Sequence, residues 1–125
     1  MTIPGVAVWG LGRHAQKRII PALSSMEELS LVGVCSRNQK LVAKCALEWD
    51  CIGWIDPTEM LEKDKVDIIY IATPIGVHAN LAIKALKAGK HVWCEKPLTC
   101  NYEESKRLVN LAKQSNQMLA ECFMY

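Results

Sequence analysis

The stretch "VWGLGRHAQ", residues 8–16, decides the fold that this sequence predicts. Two glycines, Gly10 and Gly12, follow a short apolar run, and Ala15 stands where a third glycine could stand. This spacing is typical of a turn that binds the pyrophosphate of a dinucleotide, provided that the turn joins a strand to a helix. The first glycine permits the tight bend, the second lets the phosphate approach the backbone, and a small third residue lets the helix pack on the strand. A plain glycine-rich loop is the alternative.

The rest of the chain supplies the context that the turn requires. Short apolar segments alternate with amphipathic ones. We predict strands at "GVAVWG", "LSLVGVC", "IGWID", "VDIIYIAT", "HVWCE" and "QMLAECFMY". We predict helices from Ala15 to about Ile20, where Pro21 ends or kinks the helix, and in "QKLVAKCALEW", "TEMLEKD", "GVHANLAIKALKAGK" and "NYEESKRLVNLAKQS". This order predicts an α/β fold, a Rossmann-type doubly wound parallel sheet of about six strands with helices on both faces.

Capping residues mark several helix ends. Asn38 and Asp56 precede two of the predicted helices, and Asn101 with Glu104 forms a cap pair before the last one. Gly89 suits the left-handed end of a helix. Three lysines near that end are expected to face water: Lys84, Lys87 and Lys90.

Composition excludes several classes of protein. The chain has 125 residues, which predicts one domain, with 50% hydrophobic and 22% charged residues and a net charge of +2. Basic and acidic residues are interspersed, so no nucleic-acid surface is predicted. The apolar runs are too short to span a bilayer. The N-terminus lacks the features of a signal peptide, so we expect a cytoplasmic protein.

The six cysteines do not predict a metal site or a disulfide framework. None of them forms a C-x-x-C pair, and the three histidines do not join them at ligand spacing. We therefore expect buried free thiols. Cys94, beside Glu95, could be read as a nucleophile, but no base adjoins it in the sequence.

The end of the second predicted strand bears on the choice of cofactor. A carboxylate at this position usually binds a free ribose 2′-hydroxyl. This chain instead has "GVCSRN", with Ser36 and Arg37 and no acid. An acid would repel a 2′-phosphate, so NADP is favoured slightly over NAD. In the glycine turn, Arg13 could reach the pyrophosphate or the 2′-phosphate, and His14 is a further candidate for cofactor binding. Solvated surface side chains are the alternative.

Two later segments resemble a known family. The run "YIATPIGVHANLAIKALKAGKHVWCEKPLT" is similar to the matching region of the Gfo/Idh/MocA oxidoreductases, which include glucose-fructose oxidoreductase and inositol dehydrogenase. With "GLGRHA", the resemblance covers nearly the whole chain, from about Ile3 to Tyr125. It implies an NAD(P)-dependent oxidoreductase that acts on a sugar, polyol or nucleotide-sugar hydroxyl.

The resemblance also implies roles for individual residues. Three of them form the loop after the fourth strand, near the adenosine and pyrophosphate: Ala72, Thr73 and Pro74. His78 opens the next helix, either as a packing residue or as an acid–base group. Glu95 and Lys96 follow the fifth strand, close to the nicotinamide, and Lys96 is the candidate catalytic residue. Pro97 shapes that turn and allows a cis bond.

The physical argument agrees with this placement, because ligands of open α/β sheets bind beyond the carboxyl ends of the strands. Gly10, Arg37, Thr73 and Glu95 all follow predicted strands. An ammonium group there could hold a substrate hydroxyl or polarise a carbonyl. A plain solvated lysine remains the alternative for Lys96.

Members of the family are much longer than this chain, and a second domain supplies most of the substrate pocket, acid–base groups and the subunit interface. We therefore expect residues 1–125 to be the NAD(P)-binding domain, inactive alone, of an oxidoreductase that forms homo-oligomers. A dinucleotide-binding sensor or interaction module is the alternative. A methyltransferase with a similar glycine turn is disfavoured because "TP…EKP" has no role there. The substrate itself cannot be read from these residues.

Overall fold

Apolar segments rich in β-branched residues form six parallel strands in the computed structural model, which describes residues 3–122. The strands are β1 (Gly5–Trp9), β2 (Ser30–Cys35), β3 (Ile52–Trp54), β4 (Ile68–Ile71), β5 (His91–Glu95) and β6 (Leu119–Cys122). They lie in one sheet in the order β3-β2-β1-β4-β5-β6. The chain order reverses between β1 and β4, which is the point where open sheets of this type bind ligands.

The register of the strands aligns their carboxyl ends. Trp9, the last residue of β1, pairs with Cys35 of β2 and with Ile71 of β4. Ile71 in turn pairs with Cys94 of β5. The residues that follow β1, β2, β4 and β5 therefore meet at one edge of the sheet, as the sequence predicts.

Helices cover both faces of the sheet. A π-helical turn, Ala15–Ile19, continues into α1 (Ile20–Ser25), and the other helices are α2 (Gln39–Trp49), α3 (Pro57–Leu61), α4 (His78–Lys87) and α5 (Tyr102–Ser115). The first helix and α2 pack with Val6, Val8 and Val34 on one face. The other three helices pack with Ala7 and Ile69 on the opposite face. The doubly wound fold is therefore confirmed.

The first helix differs from the prediction at Pro21. The backbone stays helical from residue 13 through residue 25, changing from π to α geometry before the proline. The N–H of Ile20 donates to the carbonyl of Ala15, and Pro21 then lies in the first turn of α1. Proline removes one N–H donor from this continuous helix, and the π-helical turn directly before it changes the hydrogen-bond spacing at that point.

The predicted caps are present. Asn38 Oδ1 accepts from the N–H of Leu41 at 3.2 Å, and Asp56 Oδ1 accepts from that of Thr58 at 2.9 Å. Asn101 Oδ1 likewise accepts from the N–H of Glu104 at 2.9 Å. Gly89 has a φ of 82°, the left-handed conformation expected after the end of α4.

The prediction that Lys90 faces water is wrong, although Lys84 and Lys87 are exposed as expected. Lys90 is only 9% exposed, and its Nζ donates to the carbonyls of Lys63 at 2.9 Å and Val66 at 2.6 Å. The reason is that Lys90 lies beyond the last helical turn. The bend at Gly89 turns its side chain toward the segment that precedes β4.

The predicted strand "QMLAECFMY" is described only as far as Cys122, and residues 123–125 lie outside the described part of the chain. Within residues 3–122, all six cysteines are free thiols, and no group of three potential ligands could hold a metal ion. In the same range, no helix has the length and apolar character needed to cross a bilayer.

Candidate functional site

A groove of about 610 Å³ lies at the carboxyl edge of the sheet, where the order of the strands reverses. Loops that follow β1, β2 and β4 form most of its walls. The sequence-predicted residues that line it are Gly10, Gly12, Ser36, Arg37, Ala72, Thr73 and Pro74. The chain therefore brings residues from three separate segments to one cavity.

The two glycines of the turn have different surroundings. Gly10 has a φ of 110°, and a Cβ atom there would lie 2.8 Å from the carbonyl carbon and oxygen of Ala72. Its N–H donates to the carbonyl of Cys35 at 2.9 Å. A Cβ atom at Gly12 would meet no heavy atom within 4 Å. Gly10 is thus required by the fold, whereas Gly12 leaves space in front of the N-terminus of the first helix, where an anion binds favourably.

Thr73 contributes a buried polar atom that has no partner within residues 3–122. The N–H of Ala72 donates to the carbonyl of Trp9 at 2.8 Å, which fastens this loop to the glycine turn. The next residue, Thr73, lines the groove, and its buried Oγ1 has no hydrogen-bond partner among the described residues. Buried hydroxyl groups are normally hydrogen-bonded. An unpaired hydroxyl beside the open glycine turn fits a bound dinucleotide.

The segment after β2 contributes positive charge to the groove. Ser36 Oγ accepts from the N–H of Asn38 at 3.1 Å, which shapes the loop before α2. Arg37 is exposed and lines the groove. No acidic side chain is among the described residues that line it. The arrangement therefore accommodates the negative charge of a phosphate on the ribose.

The sequence analysis did not identify one wall of the groove. This wall is mainly apolar, and Lys84 of α4 lies at its end. Its residues are Ile55, Pro57, Val77, Leu81 and Lys84. Ile55 and Val77 are 44% and 41% exposed, unusual for large aliphatic side chains. Ile55 directly follows β3, and Val77 lies in the 3₁₀ turn before α4. These positions are the signal that could have identified both residues from the sequence.

A second cluster joins the glycine turn to β5. Glu95 Oε1 accepts from the hydroxyl of Tyr70 at 3.0 Å and lies 3.3 Å from His14 Nε2. Burial raises the pKa of the Tyr70 hydroxyl, and the negative charge of Glu95 adds to the effect. Tyr70 therefore keeps its proton and donates a hydrogen bond to the carboxylate. The contact brings His14 and Glu95 together, outside the lining of the groove.

The remaining candidates also lie outside that lining. Arg13 is exposed on the first helical turn. His78 is 2% exposed, with both ring nitrogens close to carbonyl oxygens. Lys96 is exposed directly after β5, and the Lys96–Pro97 bond is cis. Contact of these residues with a cofactor stays a prediction.

Cys94 lacks the properties of a nucleophile. Its side chain is fully buried in β5. The pKa of its thiol is raised to about 12, mainly by burial and also by Cys122 and Glu95 nearby. A thiol in this state is not ionised at neutral pH, and the thiolate is the reactive form.

Comparison with known proteins agrees with this geometry. Residues 5–123 match the family described as "Oxidoreductase family, NAD-binding Rossmann fold". The chain is 34% identical over 120 residues to dTDP-3,4-didehydro-2,6-dideoxy-alpha-D-glucose 3-reductase from Saccharopolyspora spinosa, covering 96% of this chain and 36% of that protein. It is 30% identical over 105 residues to the NADP(+)-dependent scyllo-inositol 2-dehydrogenase of Bacillus subtilis, covering 83% of this chain and 32% of that enzyme.

A solved structure is similar in fold as well as in sequence. It is a 3-ketoreductase from Actinomadura kijaniata in complex with TDP-benzene and NADP. The TM-score is 0.92 at 30% identity, and the match covers 96% of this chain and 38% of that one. The chain thus spans about a third of the length of these relatives.

Proposed function

The chain belongs to the Gfo/Idh/MocA oxidoreductase family, in the part that forms its NAD-binding Rossmann fold; from this premise we propose that residues 1–125 form the cofactor half of a reductase or dehydrogenase. The whole protein transfers hydride between NADP(H) and a hydroxyl or carbonyl carbon of a sugar, polyol or nucleotide sugar. Two relatives named for reactions on a nucleotide sugar and on an inositol support this substrate class.

The groove at the switch point of the sheet carries this proposal. The open space at Gly12 and the start of the first helix would hold the pyrophosphate. The unpaired hydroxyl of Thr73 would donate to the same part of the cofactor. Ser36 and Arg37 would bind a 2′-phosphate, since no acidic residue lines the groove to repel it. These contacts favour NADP over NAD.

Lys96 is the residue proposed to act on the substrate. The bound nicotinamide supplies the hydride acceptor or donor. Lys96 is exposed at the carboxyl end of β5, at the same edge as the groove. An ammonium at that position would hold the substrate hydroxyl and stabilise negative charge that develops on its oxygen. The residues that choose the substrate, the acid–base groups and a homo-oligomeric interface are proposed to lie in the remainder of the longer protein.

Titration of the chain with NADPH, followed by nicotinamide fluorescence, tests the proposal. We expect saturable binding that Gly12→Val abolishes, because the added side chain would fill the space left for the pyrophosphate. The fold should survive, since a Cβ atom at Gly12 meets nothing within 4 Å. Gly76→Val is the matched control, because Gly76 is equally open and does not line the groove.

Two outcomes would contradict the proposal. The first is no saturable binding of NADPH or NADH by the folded chain. The second is equal loss of binding in the Gly12 and Gly76 variants, since this would remove the glycine turn as the cause.

A further inference from the structure

His78 occupies an unusual position at the start of α4. Its side chain is 2% exposed, and its two ring nitrogens face two different loops. Nε2 lies 2.7 Å from the carbonyl oxygen of Thr73, and Nδ1 lies 3.1 Å from the carbonyl oxygen of Pro97. One buried ring therefore spans the loops that follow the neighbouring strands β4 and β5.

Both contacts are made to groups that can only accept a hydrogen bond. A neutral imidazole has one N–H and can donate to one of them, whereas a ring with a proton on each nitrogen donates to both. Nε2 and Nδ1 each lie within hydrogen-bond distance of a carbonyl oxygen, and the tautomer decides which of them donates.

The two loops carry different parts of the proposed site. Thr73 lines the groove and holds the unpaired hydroxyl. Pro97 directly follows Lys96, the proposed substrate-binding residue. The N–H of Leu98, next in the chain, donates to Glu121 Oε2 at 2.6 Å, so this turn is also hydrogen-bonded to β6. Farther along the same two segments, the thiol of Cys100 lies 3.9 Å from the carbonyl oxygen of Ile75.

We propose that His78 is a positioning residue whose buried ring joins the cofactor loop to the Lys96 turn through its contacts with the carbonyl oxygens of Thr73 and Pro97. The inference rests on the proposed function. Joining the two loops fixes the position of Lys96 relative to the groove that is proposed to bind the cofactor. His78 itself touches neither the groove nor solvent, so its contribution is to geometry. A residue that merely fills space at the start of α4 would not need either nitrogen.

Two conservative variants separate the two ends of the bridge. The amide nitrogen of glutamine reaches about as far along its side chain as Nε2, and that of asparagine about as far as Nδ1. His78→Gln should therefore keep the bond to Thr73 and lose the one to Pro97. His78→Asn should do the opposite. His78→Leu fills the same space but removes both ring nitrogens.

Amide hydrogen exchange of the 125-residue chain, followed by NMR, reads each loop separately. The Leu98 amide reports the Lys96 turn, and the Val77 amide, which donates to the carbonyl of Pro74 at 3.2 Å, reports the Thr73 loop. Val8 in the central strand reports global stability. We expect exchange at Leu98 to be about threefold to tenfold faster in the Gln variant, with Val77 less affected, and the reverse in the Asn variant.

The result that overturns the proposal is equal acceleration at Leu98, Val77 and Val8 in both variants, which would make His78 a packing residue only. Identical profiles of the Gln and Asn variants would overturn it as well. These outcomes need no cofactor. The proposed function is judged separately by NADPH binding to the wild-type chain, so its failure would leave the exchange result interpretable. If the chain binds NADPH, the Asn variant should bind more weakly than the Gln variant.

Discussion

Residues that follow the strands determine what the groove can bind. Gly10 and Gly12 belong to one motif, but the first is required by the backbone of Ala72 and the second leaves space for a ligand. Arg37 and Thr73 reach the same groove from different segments of the chain. The sequence predicted the two glycines from their spacing, Arg37 from its position after the second strand, and Thr73 from the family resemblance. His78 was less predictable, because its contact with Pro97 joins residues from two loops.

Replacement of Arg37 by Asp tests the cofactor preference. We expect binding of NADPH to weaken by about tenfold to hundredfold, since one charge-assisted contact contributes about 1.5–3 kcal/mol. Binding of NADH should change much less, because it lacks the 2′-phosphate. Calorimetric titration with both cofactors gives the comparison. Arg107→Asp on α5 makes the same charge change outside the groove, and should leave both affinities nearly unchanged. Equal weakening of NADPH and NADH by Arg37→Asp would remove Arg37 as the discriminating residue.

Two elements with local sequence signals were predicted with the same first and last residues that the structure gives them. The strand β5 coincides with the predicted "HVWCE", and α2 coincides with "QKLVAKCALEW" after the Asn38 cap. Such signals lie within a few residues of the element that they define. The bridge from Tyr70 through Glu95 to His14 joins three elements and leaves no local pattern. The same holds for Lys90, whose acceptors lie 24 and 27 residues away in sequence.

The segment between α3 and β4 should depend on Lys90 for its stability. Lys90→Met keeps the length of the side chain but leaves the carbonyls of Lys63 and Val66 without this donor. We expect the free energy of unfolding to fall by about 1–3 kcal/mol, the range for buried groups that lose a partner. Urea unfolding followed by circular dichroism measures the change. Lys87→Met, at an exposed position on α4, should change stability by less than about 0.5 kcal/mol. Equal stability of the two variants would mean that the Lys90 contacts contribute nothing measurable.

The whole molecule should lose stability at alkaline pH because of its buried thiols. Burial raises the pKa of Cys35 and of Cys94 from 9.0 to about 12. The folded state therefore holds these protons more tightly than the unfolded state. The resulting stabilisation is complete below pH 9 and is lost as the pH rises toward 12. Tyr70, whose pKa is also raised by burial, acts in the same direction.

Melting temperatures measured in reducing buffer between pH 7.5 and pH 11 check this expectation. The wild-type chain should melt at progressively lower temperature above pH 9. A Cys35→Ala, Cys94→Ala double variant should show a flatter decline, even though its cavities lower stability at every pH. Cys100→Ala, at an exposed thiol, should keep the wild-type slope. An equally steep decline in the double variant would exclude the buried thiols as the cause.

Catalysis is a property that we expect of the longer protein and not of these 125 residues alone. Lys96 provides one ammonium group, whereas hydride transfer also needs a substrate held within reacting distance and a group that moves the hydroxyl proton. Positioning contributes about 7–11 kcal/mol to lowering the barrier, and a placed acid or base contributes a factor of about a hundred to ten thousand. We expect no appreciable turnover of sugars or polyols by the chain when NADPH oxidation or NADP reduction is followed at 340 nm.

In the longer protein, Lys96→Ala should lower kcat far more than cofactor affinity, while Lys106→Ala, exposed on α5, should leave both unchanged. Robust turnover by the 125 residues would place the active site elsewhere, and unchanged turnover in the longer Lys96→Ala variant would make the Glu95-Lys96-Pro97 turn purely structural.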